Sequence, residues 1–214
     1  MSHSIHENIK LIQSEIGNRE LVVVSKYRSL PELQNVYDSG HRHFGENRVQ
    51  ELVEKYTALP KDINWHVIGH LQTNKVKFIA PFVHLIHSVD SLKLLKAINR
   101  EAAKADRVIP FLFQIHIAQE ESKYGLTAAE LAFILTTNEY KLLTNVKCKG
   151  LMGMATNTQN EQQVAGEFDA LKSLYDAHAT QNDFDTLSMG MSGDYAIAVS
   201  RGSTMIRVGS KIFL

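Results

Sequence analysis

The sequence predicts an α/β fold, a single (β/α)8 TIM barrel over residues 1–214. Short apolar, β-rich segments alternate with longer amphipathic ones along the chain, as parallel βα units require. The strand signals number eight, enough to close a barrel. No Gly/Ser/Pro-rich stretch or charge block divides the chain, so nothing marks a linker. The length is short for this architecture, which typically takes ~250 residues. A doubly wound open sheet is the alternative.

The elements follow in order. An opening helix over Ser4–Ile16 is expected to cover the barrel's N-terminal entrance. The strands are Leu21–Ser25, His43–Phe44, Trp65–Ile68, Leu85–His87, Phe111–Ile117, Gly150–Met152, Thr186–Met189 and Met205–Val208. Most are apolar and bounded by Gly, Ser or Asn, as strands buried on both faces should be. Between them, Val49, Leu52, Val53 and Tyr56 form one helical stripe. Leu92, Leu95, Ile98 and Ala102 form a second, and Ala165, Phe168, Leu171, Leu174 and Tyr175 a third. Asp90-Ser91, Thr127 and Ser192 are N-cap neighbourhoods.

Composition excludes several classes. The 23 basic and 23 acidic residues cancel, leaving no bulk pull toward nucleic acid or an anionic membrane. One cysteine excludes a disulfide framework and a thiolate zinc knuckle. No apolar run approaches the roughly 18 residues of a spanning helix. The start, MSHSIHENIK, lacks the apolar core of a secretory signal. A cytoplasmic protein is expected, and the neutral, patchwise surface predicts a monomer.

In parallel α/β folds the polar residues just past the strands' C-terminal ends face the ligand. Lys26 follows the Leu21–Ser25 strand directly. A lysine leaving a buried strand loses hydration, which lowers its pKa and frees a nucleophilic amine for a Schiff base. The plain alternative is a lysine that snorkels to solvent at the rim. Two Gly/Ser turns, Leu187–Asp194 and Ile206–Ser210, follow strands seven and eight, where barrels often bind phosphate. Glycines let the backbone approach an oxyanion, and Ser192 and Ser210 add hydroxyls. Either turn could be only a turn. Neither GxGxxG nor GxxxxGK[ST] occurs. Arg207 lies inside an apolar strand, where a guanidinium needs a partner: a structural salt bridge, or the ligand's ring or phosphate. The His41-Arg-His43 pair could chelate zinc, but further ligands have no evident source, and no metal site is expected. His66 and His70 are four apart, while His84 and His87 share no face. Cys148 reads as an inert core-edge residue.

The stretches VSK (24–26), FGENRVQE (44–51), WHVIGHLQTNK (65–75), HSVDS (87–91), EESKYG (120–125), GLMGM (150–154), LSMGMSGD (187–194) and GSTMIRVGSKIF (202–213) resemble the pyridoxal-phosphate homeostasis proteins. This is the YggS/PROSC-like family of PLP-binding proteins, related in fold to the N-terminal barrel of alanine racemase. The resemblance spans nearly the whole chain. It implies an alanine-racemase N-terminal-domain-like barrel carrying pyridoxal 5′-phosphate (PLP) on Lys26. It implies that Ser192, Gly209 and Ser210 hold the phosphate, that Arg207 faces the pyridine nitrogen, and that Asn47 lies near the ring's polar edge. Departures are Tyr27-Arg28-Ser29 where relatives often have Thr-Lys-Pro after the lysine, His116 where relatives commonly have Asn in the strand-five pattern, and the ending IFL where relatives usually have IFG and a short tail.

The functional expectation is a carrier rather than an enzyme. It would hold PLP as a Schiff base on Lys26, maintain intracellular PLP (vitamin B6), and supply apo PLP-dependent enzymes. No appended β-domain is expected, and in related racemases that domain completes the site. The alternative is a PLP enzyme with weak racemase or decarboxylase activity, using His66 or Lys123 as a second acid/base. A third reading is a zinc hydrolase built on His41 and His43.

Overall fold

The strands Glu20–Val24 (β1), His43–Glu46 (β2), Asn64–Val67 (β3), Leu85–Val89 (β4), Ile109–Ile115 (β5), Val146–Gly153 (β6), Thr186–Ser188 (β7) and Met205–Val208 (β8) form a closed parallel barrel in chain order. Closure is made by β1 pairing β8, with Glu20 opposite Met205 and Val23 opposite Val208. The alternative open sheet is thereby excluded. The structure is a computed structural model that describes residues 4–120 and 124–213.

The helices are Ile5–Ile16 (α1), Leu30–Asp38 (α2), Val49–Ala58 (α3), Val76–Ile79 (α4), Leu92–Lys104 (α5), Ala128–Thr136 (α6), Asn138–Lys141 (α7), Glu161–Asn182 (α8) and Tyr195–Ser200 (α9). Ser4, Ser29 and Thr127 start α1, α2 and α6 with reciprocal capping boxes, each satisfying donors that a helix start leaves free. Ser91 caps α5 as predicted. Ser192 does not cap α9; the cap position is Asp194.

The predicted opening helix exists, but its place differs. α1 packs between α2 and α9 on the outside of the barrel. Among the described residues each strand from β1 to β7 is followed by its own helix or helices. α1, seated between α2 and α9, occupies the eighth position of the ring and buries Ile9, Ile12 and Ile16. Two anchors hold it: Asn8 Nδ2 donates to the Ile212 carbonyl at 3.1 Å, and the Tyr195 hydroxyl meets Glu15. The N-terminal mouth stays lined by strand starts.

Side chains alternate between two cores. Leu21, Val23, Phe44, Trp65 and Phe113 face the helices in the large outer core. Val22, Leu85, Leu112, Met152 and Met205 make a small apolar belt inside the barrel. The remaining lumen is polar: His66, His87, Gln114, Ser188 and Arg207 are all buried. A barrel interior is ordinarily filled by bulky branched residues, so these polar groups must satisfy one another.

Candidate cofactor-binding site

Lys26 stands two residues past β1, exposed at the C-terminal mouth. The sequence predicts that the strand desolvates this amine. The structure corrects that: a turn lifts the side chain clear of the wall. In this turn Arg28 N–H donates to the Ser25 carbonyl at 3.1 Å, and Tyr27 takes a left-handed φ of 62°. Such a conformation is uncommon for a tyrosine and persists only where neighbours hold it. They do: Arg28 pairs with Glu32 at 3.3 Å and lies 4.6 Å over the Phe213 ring. The departure at Arg28 is thus packed against Phe213, while Leu214 lies outside the described residues.

Beneath Lys26, Ser25 is pinned. Its Oγ donates to Glu46 Oε1 at 2.8 Å, and its carbonyl accepts from Lys55 Nζ at 2.8 Å. Lys55 also pairs with Glu46, both of them buried. The sequence offers no local signal for this triad. Glu46 faces outward from β2, and Lys55 reaches it from α3.

The turns after β7 and β8 meet as expected. Gly209 N–H donates to Ser192 Oγ at 3.2 Å. Gly209 lies so close to β1 that a Cβ there would sit 3.1 Å from Val24 Cβ and 3.3 Å from its carbonyl oxygen. Gly190, at φ 97°, passes α9 where a Cβ would fall 2.6 Å from Ala198 Cβ. Only glycine fits that turn. Met191 N–H is already taken by Asp194 Oδ1 at 2.5 Å, which leaves the Ser192 hydroxyl and the Ser210 end as the candidate donors of this sector. Ser210 is exposed at the rim.

Arg207 lies buried in the lumen below. It donates to Ser188 Oγ at 2.5 Å and to the Gly153 carbonyl at 3.1 Å. Burial pulls its pKa down to about 10, which leaves it a cation at neutral pH. Below Ser188 the contacts continue: His87 Nδ1 lies 3.1 Å from Ser188 Oγ, and His66 Nδ1 2.9 Å from His87 Nε2. Burial holds both histidines well below the usual imidazole range, so both are neutral.

Asn47 sits apart from this cluster. Its N–H donates to Glu46 Oε2 at 3.2 Å, and it opens onto a rim groove shared with His70, Gln72 and Lys75. His116 lies past the end of β5 with its ring 3.1 Å from the Glu120 carbonyl, in a groove against α8 rather than in the lumen. His66 is locked in the lumen and cannot serve as an acid/base at the mouth. Lys123 lies outside the described residues. The His41-x-His43 pair is split, because His41 Nε2 turns to the His43 carbonyl at 2.8 Å. Burial pushes the Cys148 thiol up to about 12, so it is inert at neutral pH.

The alanine racemase N-terminal domain family model matches residues 2–214. A pyridoxal phosphate homeostasis protein of Aquifex aeolicus is 38% identical over 187 residues, 85% of this chain and 80% of its own. One from Synechocystis is 38% identical over 197 residues, 90% and 89% of the two chains. The solved structure of PipY from Synechococcus elongatus with PLP bound is 32% identical, with a TM-score of 0.89 over 99% of this chain and 100% of that one. Alanine racemase from Bartonella henselae, at 14% identity and a TM-score of 0.74, shares the fold over 98% of this chain and 58% of its own.

Proposed function

The chain belongs to the pyridoxal phosphate homeostasis proteins, built on the alanine racemase N-terminal domain, and on that premise we propose that it binds PLP at the C-terminal mouth and buffers its intracellular supply. It acts as a carrier, a role that suits relatives named pyridoxal phosphate homeostasis proteins, and residues 1–214 serve as one cofactor-holding domain. The Lys26 amine condenses with the cofactor aldehyde: one C=N bond forms and one water leaves. Ser192, Gly209 and Ser210 hold the phosphate. Asn47 closes the β2 side.

One observation carries this reading. Gly209 lies against Val24 while its N–H meets Ser192. The closing register of the barrel therefore sets the candidate phosphate loop on the same sector of the rim as Lys26. When bound, the cofactor supplies the aldehyde for the linkage and a pyridine ring that withdraws electrons. Arg207, a buried cation, opposes protonation of the ring nitrogen and so weakens the electron sink that turnover needs. This favours holding over catalysis, and apo PLP-dependent enzymes in the cytoplasm are the recipients.

The test is direct. The purified protein should be yellow, and borohydride should fix a pyridoxyl group on the peptide containing Lys26. A label on Lys75 instead would overturn the assignment.

A further inference from the structure

At the opposite end of the barrel, four polar side chains converge from the starts of four neighbouring strands. Glu20 opens β1, His43 opens β2, His66 is the third residue of β3, and His84 immediately precedes β4. One ligand atom from each of the three histidines lies within 4.8 Å of the others. His43 Nδ1 is 3.0 Å from His66 Nε2 and 2.5 Å from Glu20 Oε1. That carboxylate oxygen is 3.9 Å from His66 Nε2.

Hydrogen bonding does not account for this packing. One imidazole nitrogen carries either a proton or a lone pair, so His43 Nδ1 cannot satisfy both neighbours. Glu20 Oε1, an atom buried from solvent, faces only these two imidazole nitrogens. Lone pairs aimed at one point are what a cation would satisfy.

Two further features agree. The His66 nitrogen that points away is engaged: Nδ1 lies 2.9 Å from His87 Nε2. Metal-ligating histidines almost always engage their second nitrogen in this way. Finally, a cavity of about 420 Å³ at this mouth is lined by Glu20, His84, Lys149, Asp185 and Met205, which gives an entry path. Lys149 is neutralised by Asp185, and Arg107 is committed to the Ala80 and Val83 carbonyls, so neither cation competes for Glu20.

We propose that His43, His66, His84 and Glu20 bind one divalent transition metal of the zinc class. Three imidazoles and one carboxylate oxygen suit zinc or cobalt rather than calcium or magnesium. The metal fastens the first four strands together at the N-terminal mouth. The inference does not rest on the cofactor reading, because the two sites occupy opposite ends of the barrel.

The full-length protein, stripped with EDTA and dialysed, is titrated with Co2+ and its visible spectrum followed, with and without added PLP. One Co2+ per chain is expected, with the intense d–d bands of a four-coordinate site, displaced by Zn2+. His84→Ala is the main variant, since His84 is exposed and its loss leaves the barrel wall intact. It should weaken Co2+ binding by at least about 10-fold, while the metal-free melting curve stays unchanged. Glu20→Gln should weaken binding and alter the bands, and His41→Ala should do neither. The site is refuted if wild type shows no saturable Co2+ bands. It is also refuted if binding survives both His84→Ala and Glu20→Gln, or if His41→Ala abolishes it equally. PLP absorbance on the same samples reports the cofactor site separately.

Discussion

The two mouths of this barrel are built from different material. At the C-terminal mouth the candidate ligand groups are backbone N–H, two serine hydroxyls and one exposed lysine, all on turns that follow strands. At the N-terminal mouth they are imidazoles and a carboxylate mounted on or beside the strand starts and pressed together. Turns that carry hydroxyls and glycines suit a bulky anion that must enter and leave. Side chains fixed on strands suit a small ion held in set geometry. Between the two runs a continuous line of buried contacts, Arg207–Ser188–His87–His66. The ends are chemically distinct but share one polar lumen.

The sharpest way to break this contrast is Lys26→Ala. Lys26 is exposed and carries none of the barrel's packing. The variant should fold with wild-type stability, lose the yellow absorbance entirely, and bind Co2+ unchanged. Residual covalent cofactor would show that the C-terminal mouth does not act through this amine.

Next in size is Lys55→Met. The buried Glu46–Lys55 pair supports Ser25 and so sets the base from which Lys26 projects. Removing one partner strands a buried carboxylate, which costs roughly 3–5 kcal/mol. Urea unfolding should report a loss of that order, partly recovered by adding Glu46→Gln. A loss under about 1 kcal/mol would mean that the pair is solvated.

Ser192→Ala is smaller. A hydrogen bond from Ser192 to a phosphate oxygen is worth roughly 1.5–3 kcal/mol. Equilibrium dialysis should therefore show PLP held about 10- to 100-fold more weakly. Unaltered retention would move the phosphate away from the β7–β8 sector.

The C-terminal mouth was legible in the sequence because its signals are local. Lys26 follows the Leu21–Ser25 strand, and Gly209 and Ser192 lie in recognisable turns after strands. The N-terminal cluster was not legible. His43, His66 and His84 are 23 and 18 residues apart, with no common spacing. Only the register, Gly45 opposite His66 and His66 opposite Leu85, brings them together. The parity of β3 then decides that His66 enters the lumen while Trp65 faces the helices. α1 was misplaced for a related reason. A helix before β1 reads as a plug, and only closure of the ring shows that the eighth helical position is the one it must fill.

The line of histidines makes a last, smaller distinction between the ends. Burial holds His66 and His87 well below the ordinary imidazole range, and Arg207 pushes His87 further the same way. In the unfolded chain both return to about 6.5. Between pH 7 and pH 6 the unfolded state therefore takes up protons that the folded state refuses, so stability rises with pH and falls on acidification. For the EDTA-treated protein the loss across that unit should be about 1 kcal/mol in total, read as a lower urea midpoint. His87→Gln should reduce this dependence, whereas Lys26→Ala should leave it intact. A stability that is flat from pH 7 to pH 6 would mean that water or protons reach the lumen, and the two mouths would then not be separated by a dry polar core.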